Sequence, residues 1–368
     1  MKKVKTPWRL TVTSAAALLF LAGCVSGAPD GPETPEPSDN GNAAAEFESV
    51  SIDVAVLMGE SDIISQVMTK WGERTTELTD GAVKLNFHWS GSLVPPNQTL
   101  EAVQNGSVDA ALQPTSFGSG AIPDLSILEV PYSYPVGVEA LGSFHEKANP
   151  ILDDIYAEHG QKVIFSNPAM LASALTCNED LGPDVDLSGK VLRTAGPWQG
   201  MVAEAWGATP IAIPTGELYT ALQTGTADCT MLIYNLLDTF KIAEVAPYMT
   251  RAEFQVNYMT INMNLDLWNG LGEATQSALL EAGADAQAYA LEIIPQQGES
   301  IMESLTETGA VFCTPSDVRV DELRAAADGT WAAIDKIVGE NGKKLVNLTR
   351  SYRDQIVTDP DFGPKNPC

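Results

Sequence analysis

The sequence predicts an α/β protein built as two lobes of related design with a cleft between them. The first observation is a phrase that occurs twice. It reads Ala102-Val103-Gln104-Asn105-Gly106-Ser107-Val108-Asp109 and again Ala221-Leu222-Gln223-Thr224-Gly225-Thr226-Ala227-Asp228. The second is the setting of each copy. Each closes an amphipathic stretch (Leu100 and Val103; Leu218, Ala221 and Leu222) with apolar residues at helical spacing. Each puts a Gly where a helix C-terminus wants a residue able to take positive φ. Each then runs into small and apolar residues, Ala110-Ala111-Leu112 and Met231-Leu232-Ile233, suited to a short buried strand. The third is the strand–helix alternation ahead of the first copy, the mark of an α/β layer.

Taken in order, Ile52 to Met58 alternates as a first strand, and Ser61 opens a helix with Ile63, Ile64, Val67, Met68 and Trp71 on one face. Gly81 ends that unit and Val83 to Phe87 alternates as a second strand. A Gly/Pro loop from Ser90 to Pro96 leads to the first copy. Pro131-Tyr132-Ser133-Tyr134-Pro135 punctuates the next turn. A helix follows through Leu141, Phe144, His145, Ile151, Leu152, Ile155 and Tyr156, then a strand from Lys162 to Phe165. Leu171 to Thr176 reads as a strand crossing between lobes. Lys190 to Thr194 is a strand, Trp198 to Trp206 suits a helix, and Ala208 to Pro214 is strand-like ahead of the second copy. Asn257 to Met263 alternates and crosses back. Beyond Glu273 the patterns are helical, about 273–306, 315–338 and 342–356, long enough to brace both lobes.

The N-terminal end reads differently. Lys2, Lys3, Lys5 and Arg9 precede an apolar run from Leu10 to Leu21 that is too short to span a bilayer and leads into Leu21-Ala22-Gly23-Cys24. This is expected to be a secretory signal peptide, residues 1–23. Its ending resembles a bacterial lipobox, in which Cys24 carries the lipid; an ordinary signal peptide with a fortuitous Cys is the alternative. Residues 24–46, with Pro29, Pro32, Pro35 and Pro37 among polar and acidic neighbours, read as a lipidated Cys and a disordered tether. The chain is 44% apolar, ordinary for a globular protein. The net charge is −27; removing the four cations of residues 1–23 leaves 17 Lys and Arg against 48 Asp and Glu, a net of −31. So acidic a body argues against nucleic acid, which needs a basic footprint. It also requires that any site for an anion attract locally.

Catalytic and metal constellations are absent from the sequence pattern. His88, His145 and His159 have no HExxH, CxxC or GxSxG setting, and no GxGxxG or P-loop occurs. His145 and His159, in charged helical surroundings, are expected at the surface; His88, at a strand end beside Trp89, is a weak ligand candidate. Cys177, Cys229, Cys313 and Cys368 lack metal-ligand spacing and point to two disulfides, with three possible connectivities. Arg193 ends an apolar strand and precedes Thr194-Ala195-Gly196-Pro197 and a helix. A cation there can grip a carboxylate through two parallel hydrogen bonds. A surface salt bridge is the competing reading.

These residues resemble the solute receptors of TRAP transporters (tripartite ATP-independent periplasmic transporters), of the dicarboxylate-receptor type. The resemblance is carried by Gly91-Ser92-Leu93, by the first copy with Leu100 and Glu101 ahead of it, and by Pro131-Tyr132. It continues in Asp186-Leu187-Ser188-Gly189-Lys190-Val191-Leu192-Arg193 and in Glu217-Leu218-Tyr219-Thr220 running into the second copy. It covers about Ser51 to Met263 clearly and the helical tail loosely. It implies a periplasmic-binding-protein-like fold with hinge strands, a long spanning helix and a helical C-terminal region. Lobe one would comprise 47–170 plus about 258–300, and lobe two 171–257 plus about 301–368. Such receptors close on a small organic acid, pair its carboxylate with an Arg at the position of Arg193, and deliver it to two membrane subunits.

The chain departs from that pattern after Asp228, where relatives read G-x-E-N-P and this sequence reads Cys229-Thr230-Met231-Leu232-Ile233, with Tyr234-Asn235 as the next polar pair. A second Arg that some relatives carry is missing from Leu171 to Thr176. One cation fewer points to a monocarboxylate or a more apolar acid, for which Trp89, Phe117 and Trp198 are suitable walls, with a place in the core the equal alternative for each. Glu60 completes the candidate ligand set with Arg193, Tyr234 and Asn235. The pairing expected for the cysteines is Cys177 with Cys229, at the ends of neighbouring strands, and Cys313 with Cys368, tying the C-terminus to the helical region. The reading is thus a lipid-anchored extracytoplasmic receptor for an organic acid, with no cofactor. A receptor for an ATP-driven importer or a sensor kinase, and a secreted enzyme on the same scaffold, are its rivals.

Overall fold

A computed structural model describes residues 47–254, 258–353 and 362–368. The expectations for the signal peptide, Cys24 and the tether lie outside the described residues, as do residue 257 of the expected return strand and 354–356 of the last helix.

The first half of the chain is β1 (Val50–Ala55), α1 (Ile63–Leu78), β2 (Val83–His88), α2 (Thr99–Gln104) and β3 (Ala110–Pro114), followed by α3 (Thr115–Gly118), a 3-10 stretch (Pro123–Glu129), α4 (Val138–Ala157) and β4 (Gln161–Ser166). The chain then crosses to β5 (Ser173–Cys177). The sequence of elements repeats as β6 (Val191–Thr194), α5 (Pro197–Ala205), β7 (Thr209–Ala212), α6 (Leu218–Gln223) and β8 (Cys229–Ile233), with α7 (Tyr234–Thr239) and β9 (Tyr248–Phe254) after it. It crosses back into β10 (Met259–Asn264) and α8 (Leu265–Gly270). It ends with α9 (Glu273–Glu307), β11 (Val311–Cys313), α10 (Asp317–Ala326), α11 (Asp328–Ile334) and α12 (Glu340–Arg353).

Two sheets result, in the orders β2-β1-β3-β10-β4 and β11-β9-β5-β8-β6-β7. In each, three parallel strands come from the β-α-β-α-β unit. The strand next to them, β10 or β5, arrives from the other sheet and pairs antiparallel on both sides. These two crossings are the hinge strands of a two-lobed α/β fold. A strand shared out this way ties each lobe's hydrogen-bond ladder to the other's chain path.

The repeated phrase acts locally in both lobes. Gly106 and Gly225 follow their helices with φ of +73° and +72°, a conformation that costs any residue with a Cβ. The Asp that ends each copy then caps a neighbouring strand. Asp109 Oδ2 accepts the Asp53 N–H at 2.9 Å, and Asp228 Oδ2 accepts the Val191 N–H at 2.8 Å.

Helix α9, about 50 Å long at the helical rise, packs against α1, α4 and β4 on one side and α7 on the other. The Trp71 indole donates to Leu279 O at 3.2 Å and Ser304 donates to Asp238 at 2.7 Å. α12 lies on α4 and α11 on α5, so the C-terminal helices brace both lobes. No described helix is long and apolar enough to cross a membrane.

Three details differ from the sequence expectation. α1 is capped by Asp62, whose side chain accepts the Ile64 N–H, rather than by Ser61. The pattern at 315–338 is two helices, α10 and α11, and near the break the carbonyls of Leu323 and Arg324 accept from the Trp206 indole and the Arg353 guanidinium. His145 is fully buried rather than at the surface. Its Nδ1 lies 2.6 Å from Ser166 Oγ, its ring stacks on Tyr258, and burial lowers its pKa to about 3.

The four cysteines pair as Cys177–Cys229 and Cys313–Cys368. The first joins directly opposed residues of β5 and β8. The second holds the C-terminal residues beside β11, where Cys368 N donates to Thr314 O at 3.0 Å. The second lobe also carries a buried ion pair. Arg251 donates to Glu253 at 2.5 Å, and its remaining nitrogens reach the carbonyls of Phe362 and Pro364.

Candidate functional site

In an open α/β sheet the carboxyl ends of the parallel strands share one edge, and the loops leaving them form a crevice. A cleft of about 640 Å³ lies at that edge here, and both lobes line it. The first lobe contributes Leu57 and Met58, which follow β1, Pro96 and Asn97, between β2 and α2, and Phe117 on α3 after β3. The second contributes Arg193 and Ala195 at the end of β6, residues 212–216 at the end of β7, and Leu236 and Phe240 after β8.

Arg193 sits on a strand flanked by β7 and β8, opposite Ile211 and Thr230, and is only 3% exposed. Its Nε donates to Ile213 O at 2.8 Å and its Nη2 to Thr215 Oγ1 at 3.1 Å. Nη1 is buried with no hydrogen-bond partner among the described residues. Burial lowers the guanidinium to about 10, and no carboxylate acts against that shift. It therefore remains a cation at neutral pH. A buried charge without a counter-charge is costly, so the site is poised for an anion. The surface salt-bridge reading of Arg193 does not describe this geometry.

Of the other sequence candidates, Phe117 lines the cleft, and at 40% exposure it is one of the few large apolar side chains left open to solvent. The rest stand outside the lining. The half-buried Trp89 stacks on Phe87 with centroids 5.1 Å apart. Trp198, near the start of α5, packs half-buried against the core, and Glu60 is exposed in the loop before α1. The Tyr234 hydroxyl points away, donating to Glu253 at 3.1 Å. Asn235 is buried and reaches across to Asp62 Oδ2 at 3.5 Å, a contact between the lobes. Burial raises the Asp62 pKa, with the hydrogen bonds from the Ile64 N–H and Asn235 opposing the rise. His88 is engaged with Asp53 at 3.0 Å.

Sequence reasoning missed Leu57, Met58, Ile213, Thr215, Leu236 and Phe240. The signal that could have found them is position: each follows the carboxyl end of a parallel strand. It also missed Glu129, a buried side chain of the 3-10 stretch. Its carboxyl lies so close to Gly196 that a Cβ there would collide with it. Burial raises Glu129 to about 8, with the Ser119 side chain opposing the rise. It is neutral at pH 7 and can rest against the loop that follows Arg193.

Two lobes joined by crossing strands, with a crevice between them and a buried cation at it, fit the class of extracytoplasmic solute receptors. The chain belongs to the bacterial extracellular solute-binding proteins, family 7, whose profile matches residues 54–336. The ectoine-binding periplasmic protein TeaA of Halomonas elongata is 25% identical over 292 residues, 78% of this chain and 84% of that one. Its structure, from a TRAP transporter, matches with a TM-score of 0.76 at 22% identity over 83% of this chain and 100% of that one. The C4-dicarboxylate-binding periplasmic protein DctP of Rhodobacter capsulatus is 26% identical over 280 residues, 72% of this chain and 78% of that one. The Bordetella pertussis extracytoplasmic solute receptor DctP7, which binds pyroglutamic acid, matches with a TM-score of 0.74 at 18% identity over 82% and 99% of the two chains. At these identities the two structural matches carry the fold alone.

Proposed function

We propose that this chain is the receptor of a TRAP-type transporter and captures a small organic acid between its lobes, with Arg193 holding the carboxylate. The observation that carries the reading is the Arg193 guanidinium, buried at the cleft without a counter-charge and with Nη1 unengaged. A closing cleft excludes water, which strengthens a charge-assisted pair and holds the lobes together. The lobes would be 47–170 plus about 258–300 and 171–257 plus about 301–368, moving about the two crossings. The same cation answers the net charge of −27, as a local attraction inside a repulsive field. Turnover of the ligand is not part of this reading, and delivery is to membrane subunits of the same transporter.

Calorimetric titration with a panel of organic acids tests it. Arg193→Ala should lose about 2–5 kcal/mol of binding, the range for removing one partner of a buried charge pair. Arg193→Lys should recover only part, because an ammonium lacks the planar fork. An Ala variant that binds within a few-fold of the parent would exclude the role.

The reading includes a lipid anchor at Cys24, supported by the Leu21-Ala22-Gly23-Cys24 run. Cys24→Ser should abolish lipid labelling and leave the protein unprocessed or released. A variant still labelled and membrane-bound would remove Cys24 as the anchor.

A further inference from the structure

We propose that the acid taken by this cleft is a monocarboxylate with an apolar aliphatic or aromatic body, carrying neither a second charge nor a row of hydroxyls; this rests on the carboxylate-receptor reading above. Three features of the lining lead there. Among the described residues, Arg193 is the sole ionisable one of the cleft wall. A second carboxylate on the ligand would be enclosed without a partner, which disfavours it. A cationic group would fare no better. Glu60 is exposed outside the cleft, the nearby Asp62 caps α1 and faces Asn235, and Glu129 lies outside the lining.

The second feature is the donor inventory. Nε of Arg193 is spent on Ile213 O, and one Nη2 proton on Thr215 Oγ1. What is left is Nη1, buried in this conformation, the second Nη2 proton and the Thr215 hydroxyl proton, donors enough for two carboxylate oxygens. Among the described residues, Asn97 is the one further side chain of the lining with an N–H or O–H donor. A polyhydroxylated acid would bring several hydroxyls into walls that cannot satisfy them.

The third is the walls. Leu57, Met58 and Phe117 of one lobe face Ile213, Leu236 and Phe240 of the other across the cleft. Apolar surfaces on both sides, with a part-exposed Phe117 among them, gain when an apolar body fills the space between. Cys229, directly after Asp228, is taken up by the disulfide with Cys177, so the departure there is a local staple and not a change in the ligand site; the strand it opens leads on to Leu236 and Phe240.

The experiment is calorimetry on the folded receptor with five probes: phenylacetate, isovalerate, succinate, glucuronate and glycine betaine. Each is titrated into the parent, Arg193→Ala and Phe240→Asn, with thermal melts of all three proteins to confirm folding. Phenylacetate or isovalerate should bind at least about tenfold more tightly than the other three and lose binding in Arg193→Ala. Phe240→Asn should weaken that binding by about tenfold, the scale of one aromatic wall. Tighter binding of succinate, glucuronate or glycine betaine that is lost in Arg193→Ala overturns the apolar class and leaves the receptor reading standing. Binding that survives Arg193→Ala, or no binding by any probe, overturns the carboxylate reading and the class with it.

Discussion

The two β-α-β-α-β halves can be laid over one another element by element: β1-α1-β2-α2-β3 against β6-α5-β7-α6-β8. The sheet orders correspond, β2-β1-β3-β10-β4 against β7-β6-β8-β5-β9, with β11 as an added edge. The glycines take nearly the same φ and the two Asp carboxylates cap equivalent backbone positions. The halves differ where they face each other. β6 ends in Arg193-Thr194, whereas β1 ends in Val54-Ala55 and runs on to Leu57 and Met58. The lesson is a division of labour. Local rules for helix ends, turns and strands were used twice to make the scaffold, and one lobe received the charge while the other received a mostly apolar wall.

The halves also differ in how they are fastened. β5 and β8 are stapled by Cys177–Cys229, and no described residue of the first sheet has a counterpart. Near the crossings, the first lobe uses the neutral cluster of His145, Ser166 and Tyr258, and the second the charged pair of Arg251 and Glu253. If these are independent fasteners on a common scaffold, each can be removed without redrawing the cleft.

The largest effect is expected from the staple. The double variant Cys177→Ala, Cys229→Ala should lose about 2–5 kcal/mol in urea unfolding, the usual range for a native disulfide. Ligand affinity measured well below the melting temperature should change by no more than a few-fold. Loss of binding in a protein that still melts cooperatively would mean that the staple shapes the cleft, and the comparison would need redrawing.

Next comes acid. His145 has its pKa lowered from 6.5 to about 3 by burial, so the fold accepts the neutral ring. Its contribution is complete above pH 6.5 and is lost as pH falls from there toward 3, by at most about 1.4 kcal/mol per pH unit. Melting curves from pH 7.5 to 4.5 should show this slope. His145→Asn, less stable at pH 7.5, should show a shallower one. Equal slopes would assign the acid sensitivity to other groups.

The smallest effects probe the repeat itself. Asp109→Ala and Asp228→Ala each remove a charge-assisted hydrogen bond to a backbone N–H, and each should cost about 1 kcal/mol once solvent screening is allowed for. Asp228 should cost slightly more, because its bond is the more buried of the two. A large disparity in either direction would show that the two copies are alike in sequence but not in energetic role.

Much of the scaffold was legible in the sequence because it is set by neighbours along the chain. The two helix–Gly–strand phrases, the alternation of β1 and β2, and the amphipathic face from Ile63 to Trp71 all follow from local periodicity and backbone preference. Arg193 was legible as a strand-end cation, and the family resemblance suggested the role proposed for it. The walls were not. Leu236 and Phe240 look like ordinary apolar residues of a short helix, and only the opposition of two lobes turns them toward Phe117. His145 was misplaced because its charged neighbours along α4 say nothing of Ser166 and Tyr258, which come from the two crossings. Trp89 and Trp198 attracted notice by size, yet Trp89 stacks on Phe87 and Trp198 packs against the core.

By itself, then, the sequence determined an α/β chain with a repeated unit, strongly acidic, with four cysteines besides Cys24 and a cation at the end of an apolar strand. These are properties of residues and their near neighbours, and physical preferences of that range act without knowledge of the fold. Tertiary structure alone decided that Arg193 is buried without a counter-charge and that the opposing walls are largely apolar. It also decided that Glu129 rests neutral against Gly196. Each depends on which groups lie within a few ångströms after long loops have closed, and burial and charge compensation exist only once those distances do.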